Sequence, residues 1–115
     1  MTIDERLDFI EYRQQLLFEN TPYSRLLFEY RITEEQHEAI MDIFDEYRTK
    51  IGAGENVHHG SFEQRIYDAV PQHDGNYHFV EALAQENHRR ESWEEVFATL
   101  YGNMQKYQNY MSQQD

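Results

Sequence analysis

The 115 residues contain no cysteine, which excludes disulfides, thiolate nucleophiles and Cys-ligated zinc or iron–sulfur centres together. A run of about 18 apolar residues is also missing, so the sequence offers no membrane span. The first residues, MTIDERLDFIEYR, are charged where a signal peptide needs an apolar core, and the expected location is the cytoplasm. Basic side chains are scarce: 10 stand against 22 acidic ones, for a net charge of −12. The excess is even, −6 over residues 1–50 (12 acidic, 6 basic) and −6 over the rest (10 acidic, 4 basic). That balance argues against direct contact with nucleic acid or an anionic membrane, both of which need a basic surface. It fits a solvated acidic exterior that keeps the protein soluble, and it would also suit a basic protein partner or competition for a basic groove.

What the chain has in plenty is helix punctuation and aromatic rings. Seven Phe, nine Tyr and one Trp make an aromatic core or interface necessary, and the nine phenol groups need water or partners at its rim. The most complete unit is ITEEQHEAIMDIFDEYRTKIGAG, residues 32–54. Thr33 and Gln36 form a capping box, and Glu34 and Glu35 suit the positive end of the dipole. Gln36, Ile40, Ile43, Phe44, Tyr47 and Ile51 make one apolar face, and Arg48 and Lys50 precede Gly52 and Gly54 at the stop. His37 lies at the staple position facing Ile32 and reads as a half-buried structural histidine.

Ahead of this unit, Ile3, Leu7, Ile10 and Leu17 follow heptad a/d spacing with Gln14 interrupting, and Phe9, Leu16 and Phe18 widen the stripe. Such a short seam fits an intramolecular packing face, with a meeting of protomers as the alternative. Thr21 and Pro22 open a short helix on Tyr23, Leu26, Leu27 and Tyr30. After the glycine-bearing loop 52–60, taken as flexible, Ser61 with Gln64 predicts a cap for a helix that Pro71 helps to end. Asn76 caps the next, whose last turn carries His88, Arg89 and Arg90. Ser92 with Glu95 predicts the start of a second long helix over 92–111, with Gly102 a weak point and a frayed tail over 112–115. The expected fold is therefore all-α: a compact single domain, 1–115, of about six helices, two of them long (about 33–51 and 92–111).

The segments RLDFIEYRQQLL, YSRLLFEYRITEEQHEAIMDIFDEY and ESWEEVFATLYGNM carry a resemblance that covers nearly the whole chain. There the sequence is similar to the YhaI-like family, small bacterial all-α proteins classed as a domain of unknown function. Pro22-Tyr23 stands in the reverse of the order expected for that family, and the loop from Gly52 to Gly60 is individual to this chain. The resemblance implies a compact, self-associating helical fold, and it transfers no active site.

Residues able to do chemistry are few and poorly spaced. His58, His59, His73 and His78 are the metal candidates, with Glu55, Glu63 and Asp74 nearby, yet adjacent loop histidines point apart and no His-x-x-x-His pair lies on a helix. Exposed, uncoordinated histidines are the preferred reading, and a metal-dependent enzyme is the alternative. Carboxylate pairs four apart, such as Glu34/Glu38 and Asp42/Glu46, read as solvated helix faces rather than acid–base machinery. Glu34-x-x-His37 lacks the second copy that a di-metal bundle needs, and the glycine loop lacks the Lys and Ser/Thr of a phosphate loop. Tyr101, Met104, Tyr107, Tyr110 and Met111 decorate more than one face of the last predicted helix, which suggests a partner. The expectation is a non-enzymatic, self-associating protein without a cofactor, with Leu7, Ile10, Tyr101, Met104 and Tyr107 at its interface and a basic protein as possible second partner.

Overall fold

Capping chemistry decides where the helices begin. The computed structural model of the chain describes residues 1–113. Thr2 and Glu5 close a capping box at the start of α1 (Ile3–Glu19), which ends on Asn20 in the left-handed region. Thr21 caps α2 (Pro22–Glu29) with Pro22 in the first turn. Thr33 and Gln36 cap α3 (Glu34–Gly52) as the sequence predicts. Two further boxes expected from the sequence do not form. His58, not Ser61, caps α4 (His59–Ala69), its Nδ1 accepting the Gly60 N–H at 3.0 Å. Ser92 likewise gives way to Trp93, which precedes α6 (Glu94–Leu100) in a left-handed conformation with no side-chain cap. A short 3₁₀ turn, Pro71–His73, leads to α5 (Tyr77–Arg89), capped by Asn76.

The fold is all-α, with no strand among the described residues. The second long helix expected over 92–111 is broken. The backbone leaves α6 after Leu100, makes a 3₁₀ turn at Gln105–Tyr107 and re-forms as α7 (Gln108–Ser112). Among the described residues seven α-helices therefore replace the expected six, and the second long helix is α1 at 17 residues beside α3 at 19. Ser112, expected in a frayed tail, belongs to α7, while residues 114 and 115 lie outside the described residues. Gly102 accounts for the break. It is buried, and a Cβ there would stand 2.4 Å from the Ala98 carbonyl oxygen, so only glycine lets the turn close against α6.

One apolar cluster runs through α1 to α6, α1 contributing Tyr12 and Leu16. Ile40, Ile43, Phe44 and Tyr47 of α3 meet Phe62 and Ile66 of α4, Phe79, Val80 and Leu83 of α5, and Val96, Phe97 and Tyr101 beyond. Each such side chain contributes roughly 1.5–3 kcal/mol on full burial, so this cluster dominates the stability. α5 lies against α2, α4 and α6, and α3 against α4 and α6. α1 rests chiefly on α2, at one end of a body measuring 44 × 26 × 24 Å. None of the described helices is long and apolar enough to cross a membrane.

Candidate functional site

α1 is held from one side only. Tyr12 and Leu16 are its buried residues, and Arg13 lies across the Phe28 ring, its guanidinium carbon 3.8 Å from the centroid. Arg13 Nη1 also donates to the Phe28 carbonyl at 2.8 Å, tying α1 to the last turn of α2. The opposite side is bare. Ile3 is 76% exposed, Leu7 58%, Ile10 and Leu17 53%, and Phe18 92%. With Met1 these account for every exposed large apolar residue described except Tyr77. The heptad stripe is thus the outside of α1, which overturns the intramolecular reading and leaves Leu7 and Ile10 open to a partner.

Beside this face, α1 and the first turns of α3 enclose a cleft of about 570 Å³. Glu5, Asp8, Glu11, Glu34, Glu35 and Glu38 line it, and none of the six forms an ion pair among the described residues. Glu5 is pulled below the ordinary carboxylate range by its hydrogen bonds with the Thr2 backbone and hydroxyl. Tyr12 also lines the cleft. Burial, reinforced by Tyr23, Glu34, Glu19 and Glu38, holds its phenol well above the usual range, and its Oη has no hydrogen-bond partner. A cleft of this kind attracts cations, and its charge falls off with distance as salt screens it.

The other interface candidates lie elsewhere. Tyr101 is fully buried and donates from Oη to Glu63 Oε2 at 2.8 Å, so it is a core residue and not a docking surface. Burial first, then the Glu63 carboxylate, pushes its phenol far upward. Tyr107 is half-buried and donates at 2.6 Å to Glu81 Oε1, an oxygen that also receives Lys106 Nζ at 2.6 Å. Met104 packs on the core from the edge. Tyr110 and His88 share a 2.6 Å hydrogen bond, and the rings of Tyr107 and Tyr110 stand edge-on to Phe97 at 5.0 and 5.6 Å. Residues 101–112 therefore fold back as a strap. The breadth of their aromatic pattern comes from a change of direction at Gly102, not from a helix that is apolar on two sides.

No family model, curated protein or solved structure matches this chain.

The histidines do not converge. His58 and His59, expected to point apart, instead stack with ring centroids 4.5 Å apart, while His58 Nδ1 is engaged as the cap of α4. His73 Nε2 donates to the Tyr30 carbonyl at 2.7 Å, while His78 is exposed beside Tyr77. Among the described residues no three His, Asp or Glu side chains form a metal-binding group. Two histidines that the sequence reading did not rank for binding have structural work instead. His88 is buried against Tyr110, although its place in a last turn suggested only a dipole partner. His37 Nε2 meets Tyr23 Oη at 2.9 Å, and burial, with Arg90 adding to it, lowers its pKa to about 4. The staple position of His37 signalled its partial burial; its bond to a tyrosine 14 residues earlier, in α2, had no local signal.

Proposed function

We propose that this chain is a small non-enzymatic interaction protein that self-associates through the outer face of α1 and offers an acidic cleft to a basic protein partner. The observation that carries the reading is the row Ile3, Leu7, Ile10 and Leu17, regular in spacing and left exposed by the described residues. Exposed aliphatic side chains in a continuous row mark contact sites, because a free monomer gains nothing by hydrating them. The unpaired carboxylates beside the row supply long-range attraction for a cation-bearing partner, while the apolar row supplies the affinity. A compact, self-associating helical protein is also what the resemblance to the YhaI-like family implies.

Replacing Leu7 and Ile10 together with Glu tests the first half. Light scattering should give a mass above one chain for the native protein and one chain for the variant, with unchanged helicity, since neither side chain belongs to the core. A native mass of one chain at all concentrations would end the self-association reading. The second half predicts salt-sensitive binding of a Lys-rich peptide that Glu34→Gln, Glu35→Gln and Glu38→Gln together abolish. Binding that survives these changes would remove the cleft from the proposal.

A further inference from the structure

Resting on the self-association proposed above, the charges beside the apolar row say how two copies meet. In heptad terms Ile3, Ile10 and Leu17 occupy d, and Leu7 and Gln14 occupy a. The flanking e positions are then Asp4, Glu11 and Phe18, and the g positions are Arg6 and Arg13. One flank carries acids and a phenylalanine, the other only arginines. We infer that α1 pairs with α1 of a second copy in parallel and in register, with Arg6 of each chain against Glu11 of the other.

Parallel helices bring g of one chain to e of the next heptad on its partner, whereas antiparallel helices bring g to g and e to e. The parallel arrangement makes two Arg6–Glu11 pairs by symmetry. It leaves Arg13 on Phe28, where the 2.8 Å bond to the Phe28 carbonyl already holds it, facing the uncharged Phe18 of the other copy. An antiparallel arrangement sets arginine against arginine on one flank and acids against each other on the opposite flank, whatever its register. Helix spacing supplies no alternative partners: Arg6 has no acid three or four residues away, and Glu11 has no base. Both are exposed, and neither forms an ion pair among the described residues.

Gln14 points the same way by a separate argument. Parallel, in-register helices place a opposite a, so the two Gln14 amides can hydrogen-bond to each other. Antiparallel helices place a opposite d, which would press the amide against Ile or Leu and strip its hydration without return. A polar residue at a single a position is a known device for fixing register at some cost in strength.

Light scattering or sedimentation over a concentration series, run on the native chain, Arg6→Glu and Arg25→Glu, tests the orientation. Arg25 is exposed on α2 and carries the same charge change away from the row. Arg6→Glu should weaken the dimer about three- to tenfold relative to Arg25→Glu, and adding Glu11→Arg should restore it. A dimer tightened by Arg6→Glu, or unmoved by it, overturns the parallel arrangement while leaving self-association intact. A native chain that stays single overturns both. Because the chain has no cysteine, Gln14→Cys gives a second measurement: mild oxidation should link Gln14→Cys chains in pairs. A dimer that persists without that cross-link refutes the register.

Discussion

The two ends of the chain both carry apolar patterns and meet opposite fates. Residues 3–18 keep their aliphatic row in solvent, and residues 101–112 turn theirs inward. The difference lies in the polar ends of the side chains. The C-terminal strap is built of tyrosines, each able to bury a ring and still satisfy its hydroxyl, and the body supplies Glu63, Glu81 and His88 as partners. α1 presents Ile and Leu, which bind by area alone, and among the described residues no second helix covers them. An apolar stripe therefore reports which side chains travel together, and its cover is decided by hydrogen-bond partners far away in sequence.

The strap should break most readily at its corner. Gly102→Ala forces a methyl group onto the Ala98 carbonyl, and the turn must open by a cost of about 2 kcal/mol or more. Urea denaturation should record that loss while the oligomeric mass stays as in the native chain, since the outer row of α1 is untouched. A loss below about 0.5 kcal/mol would mean that residues 101–112 do not depend on that corner.

The seat beneath α1 should respond to acid. His37, bonded to Tyr23 of the helix that carries α1, has a folded pKa of about 4 against roughly 6.5 unfolded. The unfolded chain takes up the proton first. The contribution of His37 is thus complete above pH 6.5, declines as pH falls through the interval down to 4, and is gone below it. Allowing for solvent near this half-buried ring, the loss is about 1–2 kcal/mol. His37→Gln removes the titration, so its stability between pH 7 and pH 4 should fall less than that of the native chain. Equal falls would show that the imidazole does not titrate on unfolding.

Helix class and several boundaries could be read from the residues, because Thr21 with Pro22 and Thr33 with Gln36 act within one turn. The same logic misplaced the starts of α4 and α6. At α4 the His58 imidazole takes the Gly60 N–H, so the helix starts ahead of Ser61. At α6 the left-handed Trp93 is held from outside, its Nε1 donating to Asp45 at 2.7 Å and its ring 5.4 Å from Phe44. Asp45 and Phe44 are half the chain away, and no local pattern contains them. The candidate face followed the same division. The a/d spacing of Leu7 and Ile10 was legible, as was the aromatic richness of 101–111, but not that one row would be left outside and the other tied down.

The joint between α1 and α2 consists of Asn20 and Thr21 alone, with Asn20 in a left-handed conformation, Thr21 spent on its cap and Pro22 fixing the next φ. Such a joint has almost no freedom left to lose. A partner docking on α1 meets a ledge whose ordering entropy was settled when the chain folded, so even a row of two heptads can be used reversibly, and loosening those two residues would tax every encounter without changing one contact.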